Sequence, residues 1–272
     1  MFHRTMSYAG SFYPAESDQL QSMIKKYIND VSAPFGDEEI VSLVVPHAGY
    51  IYSGPVAAHA YAAVIGKGFD VAVVLAPSHR ARFNGYSLIT EGSYETPLGS
   101  VEIDRLIGEH LDGKPHMGFL KEIDFQEHSL EVQVPFLQYA LKTFTLVPMI
   151  IGTTDYDACA AIAGEIKEAL GQDERKILIV ISTDLSHYHS YTSAQSIDGR
   201  FIDALSAFDE LKLLDALNGD CEACGEGPLL TGMLLSRMLG AKKTRIIKYA
   251  NSGDTAGDKS QVVGYVAAAF TR

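Results

Sequence analysis

The sequence predicts a single α/β domain over residues 1–272, built on a partly parallel sheet with helices on both faces. Three observations lead to this fold class. Apolar runs rich in β-branched residues occur at 41–45, 69–76 and 176–182, as expected of strands buried on both faces. Segments with helical spacing separate them, and alternating strands and helices are typical of such sheets. No Pro/Gly/Ser-rich linker or charge run divides the chain.

The remaining elements follow in chain order from turn residues and periodicity. An ordered N-terminal arm is predicted over 1–14, and a helix capped by Ser17 and Asp18 runs to residue 29. The stretch 91–99 is predicted to be a turn-rich loop. Further strands are predicted at 86–90, 145–151, 244–250 and 261–270. Further helices are predicted at 56–65, 103–111, 130–141, 156–170, 194–207, 210–217 and 229–239.

Composition excludes several classes of partner. A net charge of −12 argues against nucleic acid and against anionic membranes, since both require a basic surface. No apolar run reaches the length of a membrane span, and the N-terminal residues lack the apolar region of a signal peptide. The three cysteines are too few for a disulfide framework. We therefore expect a cytoplasmic protein with reduced thiols.

Three of the predicted strands are each followed by a histidine. His47 follows 41–45, and His79 and His187 follow the two other strands of this kind. The carboxyl ends of parallel strands lie along one edge of a sheet, so these imidazoles are expected to converge. A single histidine of this type is more often a hydrogen-bonded loop residue, but the threefold recurrence favours a site. Imidazole is the commonest metal ligand and a frequent acid or base.

Other polar residues lie close to these histidines in the sequence. Asp184 precedes His187 by three residues, which suits it to orient an imidazole. His128 and Glu131 bracket a helix start and are expected to add polar groups. His59 lies in an alanine-rich helix, so packing or surface exposure explains it. Four histidines have no supporting context and are given no role: His3, His110, His116 and His189.

The two nearby cysteines have the spacing of a redox or zinc motif. Cys221 and Cys224 form a CxxC pair, but the chain has no second such pair for a structural zinc site. One thiolate that joins two histidines on a metal is chemically more attractive. Gly225 and Gly227 would then allow the backbone to approach the centre closely.

Six motifs along the chain resemble the Memo family: AGSFYPA, PHAGYIYSG, APSHR, EHSLEVQVPFLQ, STDLSHY and ACGEGPLLTGM. They occur in this order over nearly the whole chain. The resemblance implies a three-layer αβα domain with a central mixed sheet, similar to LigB-type class III extradiol dioxygenases. In those enzymes two histidines and a glutamate hold non-haem iron(II). Microbial members are often encoded with AMMECR1-like and radical-SAM proteins, which the resemblance suggests as partners.

Carried over motif by motif, the resemblance also implies a set of site residues. The implied metal ligands are His47, His79 and Cys224. The STDLSHY motif implies that Asp184 and His187 lie beside the metal, and EHSLE implies that His128 lies in the same pocket. A thiolate in place of the dioxygenase carboxylate favours softer ions. We therefore expect one transition-metal ion, iron or copper, with zinc as the third choice.

The leading hypothesis is a metal-dependent redox enzyme that acts on an unknown small substrate. In this hypothesis His187 is the acid or base and Asp184 fixes its orientation. A second hypothesis is a protein- or peptide-binding module that reuses a dioxygenase-like cleft but catalyses no reaction. A third is a zinc hydrolase in which a bound water is activated and His187 shuttles protons.

Overall fold

The computed structural model describes residues 2–32, 35–36, 38–171 and 173–272. The strands are β1 (Phe2–Arg4), β2 (Ile40–Val45), β3 (Val71–Pro77), β4 (Tyr86–Leu88), β5 (Gly92–Thr96), β6 (Gly99–Glu102), β7 (Met117–Gly118), β8 (Thr145–Ile151), β9 (Ile177–Ser182), β10 (His187–His189), β11 (Lys243–Asn251) and β12 (Val262–Thr271). The helices are α1 (Ser17–Asn29), α2 (Tyr50–Ala62), α3 (Arg105–Leu111), α4 (Lys121–Gln126), α5 (His128–Glu131), α6 (Gln133–Leu141), α7 (Tyr156–Leu170), α8 (Tyr191–Ser206), α9 (Glu210–Asn218), α10 (Glu226–Met238) and α11 (Ser252–Thr255).

A mixed sheet of nine strands forms the centre of the molecule. Its order is β10-β12-β2-β9-β3-β8-β4-β7, and β11 also pairs with β12. The four inner strands β2, β9, β3 and β8 are parallel, whereas β12 and β4 run antiparallel to their inner neighbours. Every residue of β2 and β3 is buried, which explains why the two sequences are apolar apart from Ser42. The α/β class and the mixed sheet are confirmed.

Helices cover both faces of this sheet and produce three layers. Successive strand residues point to opposite faces, so Leu43 and Val45 join the apolar cluster formed with α1, α2 and α6. Val44 points the other way, into the cluster formed with α7, α8 and α10. Burial of each such side chain contributes roughly 1.5–3 kcal/mol. None of the helices in the described part of the chain is both long and apolar enough to cross a membrane.

The prediction of a loop at 91–99 is wrong. This stretch forms most of a β-hairpin, β5 and β6, and β1 adds to it in parallel to give a second, three-stranded sheet. Gly92 has φ +120°, and a Cβ there would lie 1.8 Å from the carbonyl oxygen of Phe2. Glycine is therefore required for β1 to approach β5. The glycines in this stretch suggested a loop, but Gly92 allows the close approach of β1 and Gly99 lies at the turn of the hairpin.

The N-terminal arm is ordered, as predicted, because it surrounds a buried carboxylate. Glu131 forms an ion pair with Arg4, and both side chains are fully buried. The same carboxylate accepts hydrogen bonds from the backbone amides of Ser7 and Tyr8, at 2.8–3.1 Å, and from the hydroxyl of Tyr13 at 2.6 Å. The expectation that Glu131 adds a polar group to the histidine site is therefore wrong: the carboxylate anchors the arm.

Candidate metal centre

The strand order brings the predicted site residues to one edge of the sheet. β9 lies between β2 and β3, and Val45 is paired with Ser182 in the register. His47 therefore leaves β2 beside the segment that follows β9, while His79 leaves β3 on its other side. His187 lies five residues beyond β9, in the short strand β10 rather than directly at the strand end.

Two imidazoles and one thiol converge at this edge. Sγ of Cys224 lies 3.0 Å from Nε2 of His47, and the ring centroids of His47 and His79 are 5.2 Å apart. One potential ligand atom from each of these three residues lies within 4.8 Å of the others. A thiolate with two imidazoles is a donor set that suits copper, zinc and iron. The three residues thus fit a transition-metal ion.

The hydrogen bonds around His47 determine its tautomer. Oγ of Ser182 donates to the carbonyl of Ser129 at 2.7 Å, so this hydroxyl can only accept its other hydrogen bonds. It accepts one from Nε2 of Gln133 at 2.8 Å and another from Nδ1 of His47, also at 2.8 Å. Nδ1 of His47 therefore carries the proton, and Nε2 presents its lone pair toward Cys224. This is the form a metal ligand needs.

A buried carboxylate fixes His79 in the same way. Oε1 of Glu127 lies 2.9 Å from Nδ1 of His79, and Oε2 accepts the backbone N–H of His79 at 2.7 Å. Nδ1 is therefore the protonated nitrogen and Nε2 is free for a metal. Burial alone would raise the pKa of Glu127, but the hydrogen bonds from His79 outweigh it and lower this pKa to about 2. Sequence reasoning missed both Glu127 and Ser182.

His128 lies against the same carboxylate and packs on His79. The two rings stack with centroids 4.6 Å apart, and Nδ1 of His128 is 3.2 Å from Oε1 of Glu127. Burial lowers the pKa of His128 to about 4, so the ring is neutral at pH 7. His79, Glu127 and His128 form a second group of potential ligands within 4.8 Å. Glu127 already accepts hydrogen bonds from the ring and backbone of His79 and from the backbone N–H of Ser129, which favours an orienting role for the carboxylate.

Asp184 is placed beside the site, but its contacts differ from the prediction. Oδ1 accepts the backbone N–H of His47 at 2.7 Å, and Nδ1 of His187 is bonded instead to the carbonyl of Leu185 at 2.7 Å. The expectation that Asp184 fixes the His187 ring is therefore corrected, since the carboxylate holds the chain at His47. Burial raises the pKa of Asp184 to about 7. Burial also lowers the pKa of His187.

The two cysteines lie in different surroundings. Sγ of Cys224 receives the backbone N–H of Asp184 at 3.2 Å, and burial together with the Asp184 charge raises the pKa of this thiol. Cys221 is buried, with its sulfur 3.7 Å from the carbonyl of Ile197 in α8, and it is in neither group of potential ligands. A Cβ at Gly225 would lie 2.4 Å from the carbonyl oxygen of Ser182, so glycine allows α10 to begin against the end of β9.

A large cavity opens beside Cys224. Its volume is about 1120 Å³, and the ends of β3 and β8 and the first turns of α7 and α10 line it. Of the three converging residues only Cys224 lines this cavity. The thiol is therefore within reach of a ligand of moderate size in this cavity.

Comparison with known proteins agrees with the motifs in the sequence. The family model for Memo-like proteins matches residues 4–269. The chain is 34% identical over 282 residues to a MEMO1 family protein of Methanobrevibacter smithii, which covers 98% of this chain and 99% of the relative. It is 36% identical over 267 residues to one from Methanococcoides burtonii, which covers 97% and 98% of the two chains. The chain therefore belongs to the Memo-like family.

Proposed function

We propose that this protein is a metal-dependent redox enzyme acting on a small molecule, with His47, His79 and Cys224 as the metal ligands. One observation carries the proposal. Each imidazole has its Nδ1 hydrogen-bonded to a buried acceptor, so that Nε2 is available next to a half-buried thiol. Such outer hydrogen bonds are typical of histidines that bind metals.

Iron or copper is the proposed ion, with zinc as the third choice. A bound iron or copper ion would supply one-electron chemistry and polarise an oxygen or nitrogen atom of the substrate. Cys224 must lose its proton to act as a ligand, and its raised pKa means that ion binding and proton release are coupled. The amide of Asp184, which donates to Sγ, would stabilise the resulting thiolate.

Two further groups are proposed to transfer protons. The lowered pKa of His187 keeps its ring neutral near pH 7, and the bond from Nδ1 to the Leu185 carbonyl leaves Nε2 as a base. Asp184, whose pKa burial raises to about 7, occupies both protonation states near neutral pH. His128 is neutral in the same range and is proposed to shape the pocket and to accept hydrogen bonds.

The metal content of matched variants tests the ligand set. Protein purified anaerobically should contain about one equivalent of iron or copper by elemental analysis, and Cys224→Ala should lose it. Cys221→Ala is the matched control and should retain the wild-type content, because Cys221 lies outside the group of ligands. Equal loss in both variants would point instead to a CxxC dithiol site.

Reactivity separates the enzyme from the two alternatives. Redox titration of the metal-loaded protein should give a reversible one-electron signal, and oxygen uptake with catechol-like compounds is the first activity to measure. A zinc-only protein with hydrolytic activity would favour the hydrolase. Partner binding that survives the loss of metal in Cys224→Ala would favour the binding module.

A further inference from the structure

A histidine lines the large cavity beside Cys224, away from the metal centre, and is a second candidate functional residue. This residue is His116, which precedes β7 and lines the cavity together with residues at the end of β8. His116 belongs to neither group of potential metal ligands. Its side chain is 24% exposed, so the ring is accessible without being free in solvent.

A buried carboxylate orients the ring of His116. Oε1 of Glu165, a residue in the middle of α7, lies 2.7 Å from Nδ1 and also accepts the backbone N–H of His116 at 3.3 Å. The other oxygen, Oε2, accepts the hydroxyl of Tyr86 at 3.2 Å. Burial and the Glu165 charge raise the pKa of Tyr86, so this hydroxyl stays protonated and donates. The Glu165 carboxylate therefore accepts hydrogen bonds from both His116 and Tyr86.

This arrangement leaves one nitrogen of His116 available to a ligand. Since Nδ1–H donates to Glu165, a neutral ring presents Nε2 as a hydrogen-bond acceptor. Within the described residues Nε2 of His116 has no hydrogen-bond partner. The partner that suits Nε2 of the neutral ring is a hydrogen-bond donor, such as a hydroxyl or an ammonium.

The charges around the cavity favour the same kind of ligand. Asp155, Asp157 and Glu226 line it, and Arg82 is the one lysine or arginine among its lining residues in the described chain. The excess of carboxylates opposes anions and favours neutral or cationic molecules. Threonine and asparagine side chains contribute further hydrogen-bonding groups to the wall.

We propose that this cavity binds a small polar molecule that carries a hydroxyl or ammonium group, and that Nε2 of His116 accepts a hydrogen bond from that group. Glu165 is a positioning residue, because it acts through His116. The proposal concerns binding, and it holds whether or not the metal centre carries out redox chemistry.

Nuclear magnetic resonance of the histidine rings tests this binding directly. The full chain is titrated with ethanolamine, with glycerol and with inorganic phosphate, and the His116 ring signals are identified by their loss in His116→Leu. We expect saturable shifts of these signals with ethanolamine and glycerol and none with phosphate. Saturable binding of phosphate would overturn the proposal. So would the absence of a saturable shift with both ethanolamine and glycerol.

Three variants separate orientation and charge from a general effect on folding. Glu165→Gln should raise the dissociation constant for ethanolamine roughly tenfold or more, because a charge-assisted hydrogen bond is lost. Glu168→Gln is the matched control: this residue lies one turn later on α7, is 73% exposed and pairs with Lys114. Its dissociation constant should stay within about twofold of wild type. Asp157→Asn should weaken the binding of ethanolamine but not that of glycerol.

Calorimetry of His116→Leu provides a measurement that needs no ring signal. This variant should bind ethanolamine at least roughly tenfold more weakly than wild type, while circular dichroism and metal content stay unchanged. Wild-type affinity in a folded His116→Leu or Glu165→Gln protein would contradict the proposal. Equal weakening in Glu165→Gln and Glu168→Gln would also contradict it.

Discussion

Replacing Glu127 by glutamine is the sharpest test of how the metal centre is held. Glu127 accepts hydrogen bonds from both the ring and the backbone of His79, and it is fully buried. A glutamine retains the size but loses the charge and one acceptor oxygen. Removing such an orienting carboxylate typically weakens metal binding by roughly 10- to 100-fold. That range corresponds to about 1.4–2.7 kcal/mol of binding free energy.

A competition titration against a chelator of known affinity measures this change, with Zn²⁺ as a redox-inert probe. Glu131→Gln is the matched control, because Glu131 is equally buried and lies four residues later but binds the N-terminal arm. It should lower the free energy of unfolding while it leaves zinc affinity within about twofold of wild type. Wild-type affinity in Glu127→Gln, or the same loss in both variants, would refute the proposed role of Glu127.

Three further predictions concern other parts of the molecule. Asp184→Asn should remove a pH dependence of the free energy of unfolding. Folding raises the pKa of the Asp184 carboxyl from 3.8 to about 7, so this group stabilises the fold fully below pH 3.8 and its contribution is lost as the pH rises to 7. Denaturant unfolding of the metal-free proteins measures this: between pH 4 and 7 the free energy of unfolding of wild type should fall by up to roughly 4 kcal/mol relative to that of the variant. Parallel plots of this free energy against pH for the two proteins would contradict the prediction. If the protein is an enzyme, His187→Ala should reduce turnover by roughly 10²–10⁴-fold with metal content unchanged; loss of metal would place His187 among the ligands. Gly92→Ala should lower the free energy of unfolding by roughly 1–3 kcal/mol or more, because the new Cβ would collide with the Phe2 carbonyl. Gly113→Ala, also at positive φ but with open space around its Cβ, should lower the free energy of unfolding by less.

Local sequence patterns were sufficient to predict the central sheet and the approach of His47 to His79. Strands buried on both faces have a clear signature, and parallel strands bring their carboxyl ends together whatever their order in the sequence. The approach of His47 to His79 therefore followed from two strand ends. Cys224 was placed with them only by family resemblance, since it lies 42 residues beyond the end of β9 and in no strand of its own.

The residues that orient the ligands could not be predicted in this way. Glu127 lies 48 residues from His79, and Ser182 lies 135 residues from His47, so no spacing rule connects either pair. Glu127 also reads as an ordinary helix-entry residue, and its side chain does cap α5 by accepting from Ser129. The prediction of a loop at 91–99 failed for a related reason, because the strand that needs Gly92 is β1, whose Phe2 lies 90 residues earlier in the sequence.

The order of strands in the sheet has a consequence for synthesis of the chain. β2 leaves the ribosome well before its two neighbours in the sheet, β9 and β12, which begin at residues 177 and 262. One edge of this buried strand therefore stays unpaired until β9 has been made, and the other stays unpaired until β12 has been made. Such contacts between distant residues slow folding and leave strand edges open to mispairing. The nascent chain should accordingly depend on chaperones until β12, which closes one side of β2, has emerged.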